Sequence, residues 1–332
     1  MSSGVRCTSK RNKAIAVVIS ACILLNGCGS IAYEVPYDIN TNVSAFRFES
    51  ADTERTAKSF ASDICVVSED VIAGEEIETG SESYGSAALF DVNNKRVVYA
   101  KNATAQLYPA SMTKVMTALL AMKYGNMDDV LTASENVLIQ ESGATLCGFK
   151  PGDTMTLDQA LHGLLLYSGN DAAVMIAEYI SGSVEDFCNM MNTEAARLGA
   201  TNTHFVNPHG LHDENHYSTA YDLYLIFNEA MKYPVFNEMI HMDTYTTNYK
   251  NSVGEMVNIT YNTTNRYLKG DIQPPTEVTV IGGKTGTTKA ARSNLILLSK
   301  DSAGNPFISV VMKAEDSDIL YLKMNSLLKV ID

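Results

Sequence analysis

Six polar side chains are spaced so that together they could acylate a serine: Ser111 with Lys114, Ser168 with Asn170, and Lys284 with Thr285. A serine hydroxyl is a weak nucleophile at neutral pH and needs a base within hydrogen-bond reach. Lys114 lies three residues on, on the same helix face. It can serve as that base if burial and a neighbouring positive charge lower its pKa. A serine at the mouth of a helix also has backbone N–H groups aimed at any anion forming there. Ser168-Gly169-Asn170 falls in a tight connection between two apolar stretches, where a loop can project a hydroxyl and an amide into a cleft. Lys284-Thr285-Gly286 follows the β-branched run Thr276 to Ile281. There Lys284 would supply a fixed positive charge that holds an anionic substrate and keeps Lys114 from staying protonated. Gly283 and Gly286 would let a substrate backbone approach the strand, with Thr285 and Thr287 offering hydroxyls beside it.

Each short motif has a competing copy. Ser326 and Lys329 repeat the Ser-x-x-Lys spacing, but inside an amphipathic helix rather than at its mouth. Ser134 and Asn136 repeat Ser-x-Asn shortly after the Ser111 helix ends. His209, His212 and His216 cluster in a segment broken by Pro208 and Gly210. Their spacing does not match a helical zinc motif, so loop hydrogen bonding is expected and no metal site. No cofactor is expected either.

The elements that must position these groups follow from periodicity. Ser86 to Val92 and Arg96 to Ala100 read as strands around the turn Asn93-Asn94-Lys95. Met112, Val115, Met116, Leu119 and Leu120 form a helical stripe that Gly125 stops. Thr156 and Gln159 form a capping box before a helix from Leu157 to Tyr167. Further helices run from Asp171 to Ile180 and from Ser183 to Leu198, and another starts at Ser218 or Thr219 and ends at Pro234. Strands return after Val278, over Ser293–Ser299 and over Pro306–Val311, and Ile319 to Val330 closes the chain as a helix. Two strands, a run of helices, three strands and a last helix predict one α+β domain with a single antiparallel sheet. Upstream, Thr53 to Val67 shows a helical pattern, and Glu69 to Glu82 reads as loop.

The chain has 332 residues, 45% of them hydrophobic and 19% charged, as in an ordinary globular protein. Residues 1–27 read as a secretory signal: Arg6, Lys10, Arg11 and Lys13 precede the apolar stretch Ala14 to Leu25, too short to span a bilayer. Leu25-Asn26-Gly27-Cys28 resembles a bacterial lipobox, in which the cysteine is acylated and becomes the new N-terminus. Residues 28–54 are polar and aperiodic, a tether, leaving 55–332 for the catalytic domain. Removing the signal leaves 21 basic against 38 acidic residues, a net charge of −17. Such a surface repels nucleic acid and anionic headgroups, so membrane attachment would rest on the lipid at Cys28. Cys65, Cys147 and Cys188 show neither metal-ligand nor disulfide-favouring spacing, and no bridge is expected.

Extended versions of the motifs are more specific. Pro109-Ala110-Ser111-Met112-Thr113-Lys114, Ser168-Gly169-Asn170-Asp171-Ala172-Ala173, Asn207-Pro208-His209-Gly210-Leu211 and Gly283-Lys284-Thr285-Gly286-Thr287-Thr288 resemble the serine-type D-alanyl-D-alanine carboxypeptidases. These are the low-molecular-mass penicillin-binding proteins of peptidase family S11. The resemblance runs from about Tyr84 to the C-terminus. It implies a penicillin-binding/β-lactamase-like domain, a five-stranded antiparallel sheet flanked by helices with a helical subdomain. It also implies roles. Ser111 attacks the penultimate D-alanine of a peptidoglycan stem peptide, Lys114 takes its proton, and Ser168 relays a proton to the leaving D-alanine. Asn170 binds a substrate amide, while Lys284, Thr285 and Thr287 hold the terminal carboxylate. Backbone N–H groups of Ser111 and Thr287 form the oxyanion hole. β-Lactams would bind covalently, and the enzyme would act extracytoplasmically, anchored to the bacterial membrane as a lipoprotein.

Two departures stand beside this resemblance. Many members carry a β-rich domain and an amphipathic helix after the catalytic domain, and this chain ends soon after Lys284. Some use an additional arginine near the carboxylate, and here only Arg266 and Arg292 lie in suitable segments. Two rivals have different requirements. A class A β-lactamase needs a glutamate before the Lys-Thr-Gly element, and Glu214 is the one nearby, in an unmatched setting. A non-catalytic penicillin-binding wall lipoprotein has no need of Lys114.

Overall fold

The computed structural model describes residues 61–72 and 84–331, and residues 59–332 make one compact unit. The signal, Cys28 and the tether lie outside the described residues. Strands β1 (Ser86–Asp91) and β2 (Arg96–Lys101) form a hairpin. Helix α1 (Lys114–Tyr124) follows a 3-10 turn over Ala110–Thr113. Short strands β3 (Val130–Thr132) and β4 (Thr154–Thr156) lead into α2 (Leu157–His162), α3 (Asn170–Ser181) and α4 (Val184–Leu198). Then come α5 (Ala220–Ala230), α6 (Pro234–His241) and the hairpin of β5 (Thr244–Lys250) and β6 (Met256–Asn262). Strands β7 (Thr279–Thr288), β8 (Arg292–Lys300) and β9 (Pro306–Ala314) precede α7 (Ser317–Leu328).

The main sheet is five-stranded and antiparallel, in the order β2-β1-β9-β8-β7. Both of its faces are covered, so β1 and β8 are almost continuously buried rather than alternating. Along β8, Ile296 and Leu298 point into a core shared with α1, α3 and α5, while Leu295 and Leu297 meet Leu320, Met324 and Leu327 of α7. This sandwich places the two ends of the chain's globular part side by side and leaves β7 as one outer strand. The N-caps are as the sequence indicates. Thr156 and Gln159 make the reciprocal capping box, and Thr219 accepts from the Asp222 N–H to cap α5.

Four expectations are corrected. A second sheet exists, in the order β3-β4-β5-β6. Its hairpin strands are rich in Thr, Asn and Tyr with half-buried alternation, so no apolar run marked them. The helix expected over Leu157 to Tyr167 changes at Gly163, where the last five residues widen into a π-helix. Pro234 does not end a helix but opens α6, where its missing N–H is no loss. Finally, residues 61–67 form turns and irregular chain rather than helix. Their backbone partners are tertiary: the Cys65 N–H donates to the Tyr224 hydroxyl at 2.9 Å, and the Tyr221 hydroxyl donates to the Cys65 carbonyl at 3.0 Å.

Candidate active site

Ser111 stands on a turn that the sheet and a loop grip from two sides. Ala110, just before it, has φ 48°, a left-handed conformation that costs a non-glycine residue about 1–3 kcal/mol and persists only where its surroundings enforce it. Two glycines supply that enforcement. A Cβ on Gly286 would lie 2.7 Å from the Pro109 carbonyl oxygen and 3.0 Å from the backbone nitrogens of Ser111 and Met112. One on Gly210, itself at φ +87°, would lie 1.9 Å from the Ala110 carbonyl oxygen. The bare face of Gly286 meets the nucleophile turn, while the residue also lines the cavity beside Ser111. Gly283 likewise serves the sheet, since its Cβ would stand 2.0 Å from the Ile296 carbonyl oxygen.

Lys114 is buried in the first turn of α1 with three oxygens around its Nζ. These are Ser111 Oγ at 2.9 Å, Asn170 Oδ1 at 2.6 Å and the His209 carbonyl at 2.7 Å. Burial first, and the nearby Lys284 second, hold its pKa well below the usual lysine value. A neutral amine keeps two N–H donors and one lone pair. The Asn170 and His209 oxygens accept only, so they take the two N–H groups. Ser111 alone of the three can donate, so in the neutral form of Lys114 the lone pair would face its hydroxyl.

Lys284, on β7, reaches across the cleft to donate to Ser168 Oγ at 3.0 Å and to its neighbour's carbonyl, that of Thr285, at 3.1 Å. Ser168 sits at φ 70° just past the π-helix, the wider turn setting where its side chain leaves the helix. Burial lowers the Lys284 pKa to about 7, so its charge is not the fixed one expected from the sequence. Thr285 Oγ1 lies 2.6 Å from Thr264 Oγ1.

The rejected copies have structural work. Ser134 Oγ accepts from the Asn136 N–H, and Asn136 donates to Glu178. Ser326 Oγ, exposed on α7, donates to the Leu322 carbonyl. The histidine loop hydrogen-bonds as expected. His216 Nδ1 accepts from the Val206 N–H, leaving Nε2 for Thr113 Oγ1 at 2.8 Å. Burial holds His209 and His216 neutral, with pKa values lowered to about 3 and about 4.

Two cavities meet at Ser111. One, of about 220 Å³, is lined by Ser168, Thr264, Arg266, Thr285 and Thr287. The other, of about 740 Å³, runs past Asn170 and Thr145 to the end of β7. Arg266 enters the first cavity with its guanidinium held by Asp318 at 2.7 Å and Ser317 at 3.1 Å, above the Tyr321 ring. Arg292 lies outside both cavities, exposed at the start of β8. Sequence reasoning missed the His209 carbonyl, a backbone group with no residue-type signature. It also missed Asn294, whose side chain accepts from the Lys313 N–H at 2.7 Å and donates to the Tyr108 carbonyl at 3.4 Å. That buried amide ties the nucleophile turn to the sheet.

The fold is of the penicillin-binding/β-lactamase-like class, with a serine, two lysines and a second serine gathered at one cleft. The chain belongs to the D-alanyl-D-alanine carboxypeptidase family, peptidase S11, whose match spans residues 74–316. It is 43% identical over 152 residues to the D-alanyl-D-alanine carboxypeptidase DacF of Bacillus subtilis, covering 45% of this chain and 39% of that protein. It is 30% identical over 266 residues to DacC of Escherichia coli, covering 77% of this chain and 63% of that one. The matches thus span less than two thirds of these relatives' own length. Among solved structures, the Streptomyces K15 DD-transpeptidase superposes with a TM-score of 0.69 at 26% identity, over 76% of this chain and 97% of that one.

Proposed function

We propose that this protein is a serine-type D-alanyl-D-alanine carboxypeptidase that trims peptidoglycan stem peptides and is acylated by β-lactams. The buried Lys114 Nζ, 2.9 Å from Ser111 Oγ with the Asn170 and His209 oxygens as its other partners, carries the reading. Neutral Lys114 takes the Ser111 proton as Oγ attacks the carbonyl carbon of the penultimate D-alanine. The backbone N–H groups of Ser111 and Thr287 hold the oxyanion. When the C–N bond breaks, the departing amine is protonated through Ser168, which Lys284 orients. Asn170 divides its amide between Lys114 and the substrate. The terminal carboxylate lies in the smaller cavity against Thr285 and Thr287, within reach of Arg266, with Lys284 buried behind Ser168. Water then cleaves the ester and frees the shortened peptide.

A signal peptide over 1–27, a lipidated Cys28 and a tether over 28–54 would hold the 55–332 catalytic domain on the outer face of the membrane. No helix among the described residues is long and apolar enough to cross a bilayer. The β-lactamase alternative is weaker because Glu214 lines neither cavity beside Ser111. Mass spectrometry after mixing with a pentapeptide ending in D-Ala-D-Ala tests the proposal. Release of one D-alanine is expected. Rapid β-lactam turnover without such release would favour the lactamase, and neither product would favour a binding protein.

A further inference from the structure

Asp171, the residue after Asn170 in the first turn of α3, is only 1% exposed and has no part in the mechanism above. Taking a carboxylate out of water is costly unless hydrogen bonds replace its hydration. Four backbone N–H groups do so here. Oδ1 accepts from Cys147 at 2.9 Å and from Ala172 at 3.0 Å, and Oδ2 accepts from Gly148 at 2.8 Å and from Phe149 at 3.2 Å. A helix cap would take its donors from the helix it opens. Three of these four lie instead in a separate segment, 22 to 24 residues upstream.

Asn170 makes a second tie to the same segment, its N–H donating to the Thr145 carbonyl at 2.8 Å. Packing there leaves no slack: a Cβ on Gly169 would lie 2.4 Å from Cys147 Sγ and 3.0 Å from Asp171 Oδ1. Residues 145–149 thus form a floor bound to both Asn170 and Asp171. On its other side Asn170, itself buried, places Oδ1 2.6 Å from Lys114 Nζ. A side-chain oxygen held that closely needs a backbone that cannot drift. We propose that Asp171 is a positioning residue for acylation, given that Lys114 is the base. By binding residues 147–149 to the start of α3, it holds the Asn170 oxygen on Lys114 and keeps the amine aimed at Ser111.

A double-mutant cycle on the rate of acylation by fluorescent penicillin tests this, with wild type, Asp171→Asn, Asn170→Ala and the pair. Asp171→Asn keeps the side chain's size but turns an NH₂ group toward backbone donors. Acylation should slow by about 10- to 10²-fold, the scale of misplacing a reacting group by about an ångström. In the Asn170→Ala background the same change should slow it by less than about threefold, because the contact it supports is already gone. Loss of the Asp171 charge would lower the Lys114 pKa further and raise the share of neutral amine, so the slowing cannot come from a protonated base. Asp171→Ser runs the same cycle should the asparagine variant fail to fold. Equal fold-losses in the two backgrounds, a wild-type rate for Asp171→Asn, or loss of folded protein in both Asp171 variants would overturn the positioning role. Lys114→Ala acylated at the wild-type rate would instead overturn the base itself, whereas a slow Lys114→Ala beside a failed cycle would leave the base standing.

Discussion

Lys284 Nζ stands 3.0 Å from Ser168 Oγ, so that an ammonium from the sheet meets a hydroxyl from the helical layer directly across the cleft. Burial sets the Lys284 pKa at about 7 rather than the usual 10.5. Its charge is therefore present below about pH 7 and lost above it. Because kcat/KM reports the free enzyme, the value for a carboxylate-ended peptide should fall as pH rises through about 7. Lys284→Arg should move that limb to alkaline pH. An unchanged limb in this variant would mean that another group titrates.

The same shift links to stability. Between about pH 7 and 10.5 the unfolded chain binds a proton at Lys284 that the folded chain does not, so this residue's effect on folding becomes more favourable as pH rises through that window. Lys284→Met should accordingly raise Tm relative to wild type more at pH 6 than at pH 9. Parallel Tm curves for the two proteins would contradict the lowered pKa.

Ser111→Ala should abolish labelling by fluorescent penicillin, whereas Ser326→Ala should not affect it, because Ser326 Oγ is spent on its own helix. Label remaining on Ser111→Ala would show that the nucleophile lies elsewhere.

Lys114→Ala should slow acylation by at least about 10²-fold, the scale of a lost general base. Stopped-flow acylation at wild-type rate would remove Lys114 from the mechanism.

Gly286→Ala should distort the nucleophile turn, since the added carbon would press on the Pro109 carbonyl and the Ser111 nitrogen. Overpacking of this kind costs about 1–3 kcal/mol, and both Tm and acylation rate should drop. A variant as stable and as quickly acylated as wild type would refute the close-packing account.

Cys28→Ala should move the protein from the membrane pellet to the soluble extracytoplasmic fraction, as expected if an acyl chain at Cys28 is the anchor. Identical partitioning of the two proteins would rule that anchor out.

Local chemistry and periodicity were enough to place Ser111 and Lys114 at a helix mouth, Ser168 and Asn170 between helices, and Lys284 on a strand. They also gave the outer strand–helix–strand order, because apolar runs and caps are written within a few residues of one another. Elements lacking that local signature escaped. The polar hairpin of β5 and β6 is held by its partner strand rather than by an apolar run, and Cys65 takes its backbone partners from tyrosines more than 150 residues away. The site shows the same division. Residue types announced a serine and a lysine, but only the folded chain places the His209 carbonyl and the Asn170 amide oxygen on Lys114 beside Ser111. Burial is likewise a property of the packed whole, because water is excluded by elements distant in sequence. The lowered pKa of Lys114 and the half-charged state of Lys284 near neutral pH were therefore decided by tertiary structure.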